Sequence, residues 1–292
     1  MITVELVHDA HATVGESAAW DDRAKALWWC DIDGEAVHAF DPATGPRPPI
    51  AIGEKVGCLA LTEAGGAVIG TKSGLYDLDL ATGERALFAS PEADLPDNRF
   101  NDAATDRQGR WWVGSMGMGD PSRATGAFWR VDADRSVIRW LDGIHTTNGL
   151  AFSPDGRTMY LSDSHPDVRT IWACDYDPDE GAPSNRRVYF DTRAVAGRPD
   201  GATVDADGCY WMAGVSGWQL VRLTPHGTVD MIVEMPVEKP SKPEFGGADR
   251  DTLYVTTISA GLTRGADQPH AGGLFAITGL PVGGVPTARF RG

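Results

Sequence analysis

Asn148-Gly-Leu-Ala-Phe-Ser-Pro-Asp-Gly-Arg-Thr-Met-Tyr-Leu-Ser162 places two strands and the turn between them in one short run. Gly149 to Phe152 is almost wholly apolar, as a strand buried on both faces requires. Ser153-Pro-Asp-Gly156 is a tight turn, with Pro154 fixing φ and Gly156 accepting a positive φ. Thr158 to Ser162 returns as a second strand. Arg169 to Tyr176 reads as a third, and Arg187 to Phe190 as an outer fourth beyond the turn-rich Asp175–Gly181.

The same hairpin recurs along the chain. Glu16-Ser-Ala-Ala-Trp precedes Ala26-Leu-Trp-Trp-Cys, and Gly57-Cys-Leu-Ala-Leu precedes Ala67-Val-Ile-Gly. Asn101-Asp-Ala-Ala-Thr precedes Arg110-Trp-Trp-Val-Gly, Asp200-Gly-Ala-Thr-Val precedes Cys209-Tyr-Trp-Met-Ala, and Ser241-Lys-Pro-Glu-Phe precedes Thr252-Leu-Tyr-Val-Thr. Unit starts lie 41, 44, 47, 52 and 41 residues apart. A period near forty with about four strands per unit is the signature of a propeller. The expected fold is all-β: a six-bladed β-propeller with four antiparallel strands per blade, filling residues 1–292 as one domain. Third strands are expected at Val37–Phe40, Gly74–Leu80, Ala127–Val131, Gln219–Leu223 and Gly273–Ile277. Thr3 to Val7 has no blade of its own. It is expected to pair into the last blade and close the ring, since an open ring would leave bare strand edges.

Composition narrows the partners. The net charge of −15 disfavours nucleic acid and anionic membranes. Cys30, Cys58, Cys174 and Cys209 fall in different units with no Cys-x-x-Cys pair. They read as buried free thiols of a reducing compartment, not as a zinc cage or redox motif. No basic-then-apolar leader opens the chain and no apolar run is long enough to span a bilayer. A cytoplasmic protein, monomeric or a weak homo-oligomer, is expected. The ten tryptophans read as packing between blades.

The chemistry is expected at the first position of each unit. Innermost strands of a propeller run beside the central channel, so equivalent residues point at one axis. Here they are Glu16, Gly57, Asn101, Asn148, Asp200 and Ser241. Two carboxylates and two amide oxygens converge, with no Lys or Arg at an equivalent position. Buried carboxylates close together must be paired or bound to a cation, and this oxygen set suits a hard divalent ion such as Ca²⁺, Mg²⁺ or Mn²⁺. Arg99, two residues before Asn101, approaches the same mouth, where a guanidinium can donate to a substrate oxygen. Asp102 is expected to orient Asn101 or Arg99. His145, His165 and His270 read as ordinary loop residues.

These residues resemble the gluconolactonase / senescence-marker-protein (regucalcin) family of six-bladed propellers. The resemblance rests on Gly15-Glu16; on Arg99-Phe-Asn-Asp102 followed by Gly109-Arg-Trp-Trp-Val-Gly-Ser-Met116; and on Thr147-Asn-Gly-Leu-Ala-Phe-Ser-Pro-Asp-Gly156 followed by Tyr160-Leu-Ser-Asp-Ser164. It continues through Pro199-Asp-Gly201, Gly208-Cys-Tyr-Trp-Met-Ala213, Phe245-Gly-Gly247 and Asp251-Thr-Leu-Tyr-Val-Thr256. It implies one divalent cation (Ca, Zn, Mg, Mn or Fe) held by Glu16, Asn148 and Asp200. It also implies a sugar lactone contacted by Arg99 and Asn101, and Asp200 as base. Several family members carry a substrate-contacting Glu in the loop after the Gly-Ser/Thr-Met segment. Here loop 117–126 offers only Asp120.

The expected activity is metal-dependent hydrolysis of an aldonolactone by water in the central channel. A Gly-x-Ser-x-Gly nucleophile elbow is absent. Two other readings keep the scaffold: a phosphotriesterase or aryl-ester hydrolase, which wants a more apolar mouth, and a calcium-binding regulatory propeller without catalysis.

Overall fold

The computed structural model describes residues 1–262 and 268–292. Blade one is built from β2 (Gly15–Asp21), β3 (Ala26–Asp31), β4 (Ala36–Asp41) and β5 (Gly45–Ala51), which follow the leading strand β1 (Thr3–His8). Blade two is β6 (Val56–Leu61), β7 (Ala67–Thr71), β8 (Leu75–Leu78) and β9 (Arg85–Ala89). Blade three is β10 (Asn98–Thr105), β11 (Trp111–Gly117), β12 (Gly126–Val131) and β13 (Val137–Ile144). Blade four is β14 (Thr147–Phe152), β15 (Thr158–Asp163), β16 (Thr170–Asp177) and β17 (Ala182–Asp191). Blade five is β18 (Arg198–Val204), β19 (Tyr210–Val215), β20 (Gln219–Leu223) and β21 (Val229–Glu234). Blade six is β22 (Pro240–Gly246), β23 (Thr252–Thr257) and β24 (Leu274–Thr278), completed by β1, which pairs antiparallel with β24 from Thr3 opposite Thr278. The first strand is thereby fastened to the last blade. Among the described residues there is no α-helix, only a 3-10 turn at Thr192–Ala194.

The hairpin turns form as their sequences dictate. Gly109, Gly156 and Gly208 take positive φ and their amides bond back to Asp106, Ser153 and Asp205. Asp106 Oδ1 accepts from the amides of Gln108 and Arg110, and Asp205 Oδ1 from those of Asp207 and Cys209. Each aspartate thus pins its turn before the second strand begins.

The outer strand of blade four differs from expectation. It runs over Ala182–Asp191, and the segment read as a turn from Asp175 still belongs in part to β16. A register shift between Ala173 and Asp175 lets the ladder continue to Tyr176 opposite Pro183. The outer strand is exposed over much of its length, so no apolar alternation marked its start.

The core is a ring of six layers, one between each pair of neighbouring blades. Trp112, Phe128, Leu150 and Leu161 fill the gap between blades three and four. Trp211, Phe245 and Phe275 fill that between five and six. Trp20, Trp29 and Tyr254 fill that between six and one. Trp29, Trp111, Trp112 and Trp211 are fully buried, as expected of interblade filler. All four cysteines are buried and free. After β24 the chain crosses the channel end away from Glu16. Gly284 bridges to Asp205 in blade five, and the fully buried Phe290 joins Thr62 in blade two.

Candidate active site

Every inner strand carries the same irregularity at the same place. Its ladder to the second strand shifts between Glu16 and Ala19, Val56 and Cys58, Phe100 and Ala103, Asn148 and Ala151, Pro199 and Ala202, and Pro240 and Pro243. A bulge adds a residue and re-aims side chains, so consecutive residues can both face the axis. This is why the site holds more groups than strict alternation allots.

The bulge sets demands on the backbone. Gly149 has φ of 67°, and a Cβ there would stand 2.4 Å from the Tyr210 hydroxyl. Glycine therefore lets Tyr210 donate to the Gly149 carbonyl at 2.9 Å and keeps Asn148 on the axis. In blade two a Cβ on Gly57 would lie 2.0 Å from the Phe100 carbonyl oxygen, so that blade contributes no side chain at this position.

Glu16, Asn101, Asn148 and Asp200 are all buried. Glu16 and Asp200 lie close enough to share a hydrogen bond. Neither forms an ion pair among the described residues. Burial pushes both carboxyls up. Asp200 and Asp102 add to the effect on Glu16, and Asp102 adds to that on Asp200, which reaches about 7. Asn148 Nδ2 donates to Ser164 Oγ at 2.7 Å, and Ser164 donates in turn to the Pro199 carbonyl next to Asp200. Asn101 Nδ2 donates to Thr147 O at 2.7 Å and to Asn148 Oδ1 at 3.1 Å, while its own Oδ1 accepts from Arg99 Nη1 at 2.5 Å. A continuous polar chain therefore runs from Arg99 through Asn101 and Asn148 to blade five.

Asp102 does not orient Asn101 or Arg99. One carboxylate oxygen accepts from the Leu150 amide at 2.8 Å and the other from Lys242 Nζ at 2.9 Å. Asp102 and Lys242 are buried, with side chains 1% and 5% exposed. No basic residue stands at a unit start, but Lys242, one residue past such a start, brings a charge beside the axis. Lys242 follows Ser241, and the bulge of β22 turns it inward. Below it the channel contracts to a cavity of about 90 Å³, lined among others by Ser17, Glu244, Thr287 and Arg289. Glu244 accepts there from Thr287 Oγ1 at 2.6 Å.

The loop histidines partly form a unit. His145 and His165 stack with ring centroids 4.3 Å apart, and the Asp163 carboxylate accepts the amides of His145, Thr146 and His165. Asp120 lies in an exposed turn and accepts from Ser122, with no contact to the axial residues.

The inner-strand set fits a divalent cation. Two buried carboxylates face each other without a cationic partner among the described residues, and Asn148 is tied to the Asp200 strand through Ser164 and the Pro199 carbonyl. Among the described residues no three His, Cys, Asp or Glu side chains form a metal cage, so the fit depends on an amide oxygen completing the set. A consequence for stability follows. A carboxyl raised in the folded state binds its proton more tightly there than in the unfolded chain. Its stabilising contribution is full below the unfolded value of about 4 and is lost as pH rises through about 7. Chelator-treated protein should therefore melt several degrees lower at pH 8 than at pH 5.5. Added divalent ion should restore most of the loss at pH 8. Thermal melts across pH check this, and a flat profile would show that the pair is already neutralised.

The model of the SMP-30/Gluconolactonase/LRE-like region matches residues 14–259. L-arabinolactonase of Azospirillum brasilense is 37% identical over 98% of this chain and 95% of that protein. 6-Deoxy-6-sulfogluconolactonase of Pseudomonas putida is 35% identical over 99% of each. The crystal structure of the calcium-binding protein regucalcin from Agrobacterium tumefaciens superposes with a TM-score of 0.92, at 28% identity, over 99% of this chain and 98% of that one. By family model and by full-length relatives, the chain belongs to the SMP-30/gluconolactonase/LRE-like family.

Proposed function

We propose that this chain hydrolyses a sugar lactone to the aldonic acid at the upper end of its central channel. The observation that carries the reading is the buried Glu16–Asp200 pair beside Asn148, capped by an arginine bonded to amide and carbonyl oxygens. The two relatives whose names are lactonases, L-arabinolactonase and 6-deoxy-6-sulfogluconolactonase, support it.

Glu16, Asn148 and Asp200 would hold the divalent ion. When bound, such an ion polarises an ester carbonyl and lowers the pKa of water. The chain's own residues supply the rest. Asp200, raised to about 7 in the protein alone, is suited to accept a proton from the attacking water. Arg99 spends one nitrogen on Asn101 Oδ1 and the Phe100 carbonyl and keeps its other N–H groups for sugar oxygens. Asn101 has both amide protons engaged within the protein, leaving an Oδ1 lone pair for a sugar hydroxyl. Fixing donors and acceptors in this way orients the ring before reaction. Leu59, Ala60 and Leu150 wall the channel below Glu16 and limit bulk water.

The test is a panel of pentono- and hexonolactones assayed by proton release with chelator-treated protein and each divalent ion in turn. Turnover restored by one or more ions is expected, and no turnover with any pair would overturn the reading. Arg99→Ala should lower kcat/KM by about 10²-fold, the usual cost of losing an orienting donor, with ion binding and melting temperature kept. An unchanged kcat/KM would show that Arg99 does not meet the substrate.

A purely structural or regulatory ion would need only the oxygen set. The relative described as calcium-binding keeps that reading in view, but it leaves Arg99 without a task.

A further inference from the structure

Two residues before the axial position, each unit places a second residue at the rim. Each lies at the entry of its inner strand, just ahead of the axial position. These six residues, Val14, Lys55, Arg99, Thr146, Arg198 and Lys239, are all half-buried. They ring the mouth of the channel one step above Glu16, Asn101, Asn148 and Asp200. Basic residues make up 26 of 292 in an acidic chain, yet they fill four of these six places.

The four are not equally free. Lys55 is neutralised by Asp33, 2.5 Å away. Arg99 bonds neutral oxygens only. Lys239 donates to the Ala260 carbonyl at 2.7 Å and meets no carboxylate among the described residues. Arg198 has neither a side-chain hydrogen bond nor an ion pair among the described residues, although it opens β18 and stands next but one to Asp200. Its charge acts on the nearby Asp200 carboxyl, which it lowers. Holding a half-buried guanidinium without a partner among the described residues costs solvation. A ligand that brings an anion returns it.

We propose that Arg198, with Lys239 at the entry of the next blade and Arg99 two blades away on the same rim, forms a subsite for an acidic substituent. The substrate is then an acidic sugar lactone, whose chain end remote from the ring carbonyl bears a carboxylate or sulfonate. This rests on the lactonase reading for the reaction and adds the substrate class. The carbonyl lies low, at Asp200, while the anionic end stays at the rim, where Arg198 offers planar paired donors. A role in holding the product's new carboxylate is a different matter. That group forms at Asp200, and losing its partner would slow every lactone alike.

The experiment compares a hexono-1,4-lactone ending in CH₂OH with counterparts ending in carboxylate and in sulfonate, with a divalent ion present. The wild-type protein is expected to favour one or both acidic lactones by about tenfold or more in kcat/KM, the scale of one charge-assisted pair. Arg198→Met should bring that ratio close to one, and Arg198→Lys should leave it in between. Raising the ionic strength should compress it in the wild type, which keeps the test open even if Arg198→Met folds poorly. The carboxylate and sulfonate arms show which acid fits. A wild-type ratio of one or below, or a ratio that Arg198→Met does not change, overturns the proposal. Calorimetric titration with gluconate and glucarate separates this from the lactonase reading. No turnover of any lactone, with glucarate bound about tenfold more tightly than gluconate only when Arg198 is present, would retain the acid-binding mouth and remove the lactonase. Turnover with no acidic preference would do the reverse.

Discussion

Asp200→Asn should lower lactone kcat by about 10²–10⁴-fold, the range that a positioned general base contributes, and should weaken ion binding much less. The substitution keeps an oxygen where Asp200 has one, but it cannot accept the water's proton. It also removes one of two negative charges from a buried pair in which Asp200 already raises Glu16. Both ion affinity and turnover should fall, and the size of the difference identifies the role. Equal losses would make Asp200 a ligand only. Asp200→Ala, which removes the oxygen as well, should lose the ion outright. A single turnover in ¹⁸O-water adds an independent readout. Direct attack puts the label into the product acid in the first turnover, whereas attack by the Asp200 carboxylate, followed by hydrolysis of the mixed anhydride at the Asp200 carbonyl, would put the label on the enzyme and leave the first product unlabelled.

The repeat made the blades legible because each unit encodes its hairpin twice. The apolar run of Gly149–Phe152 requires burial, and Ser153-Pro-Asp-Gly156 requires a turn. The ring closure was legible for a similar reason: Thr3–Val7 is a strand with no partner nearby, and β24 needs an outer edge. The axial residues Glu16, Asn101, Asn148 and Asp200 were found through their shared position, and the structure brings all four together. Asp102 was not read correctly and Lys242 was not singled out, because period-two alternation sends every second side chain away from the axis. The bulge in each inner strand breaks that period, and no local sequence signal distinguishes it from an ordinary strand end. Asn-Asp at 101–102 and Ser-Lys at 241–242, in the same slot of two units, are its only trace. The crossing of the final segment to Thr62 was equally hidden, since Phe290 finds its pocket against Trp111, far away in sequence.

Lys242→Met should destabilise the protein by about 3–5 kcal/mol, the cost of stranding one partner of a buried ion pair. Methionine keeps the length and apolar stem of lysine but leaves Asp102 charged, 1% exposed, and held by a single amide. The pair also sets the charge of the whole floor. Three carboxylates meet there, Glu16, Asp102 and Asp200, and each of the other two raises Glu16 while Lys242 lowers it. Lys242 satisfies one of the three. The remaining two negative charges are what a single divalent cation would neutralise, and Lys242 keeps Asp102 bound to the scaffold. Adding Asp102→Asn to Lys242→Met removes the stranded charge and retains an acceptor for the Leu150 amide. The double variant should recover most of the lost stability in urea denaturation. Recovery is the decisive readout. If the double variant is no more stable than Lys242→Met alone, the loss comes from packing of the lysine stem and not from charge. If Lys242→Met alone costs less than about 1 kcal/mol, below the range for a broken buried pair, Asp102 has found another cation or a proton. The floor of the channel would then be neutral without lysine.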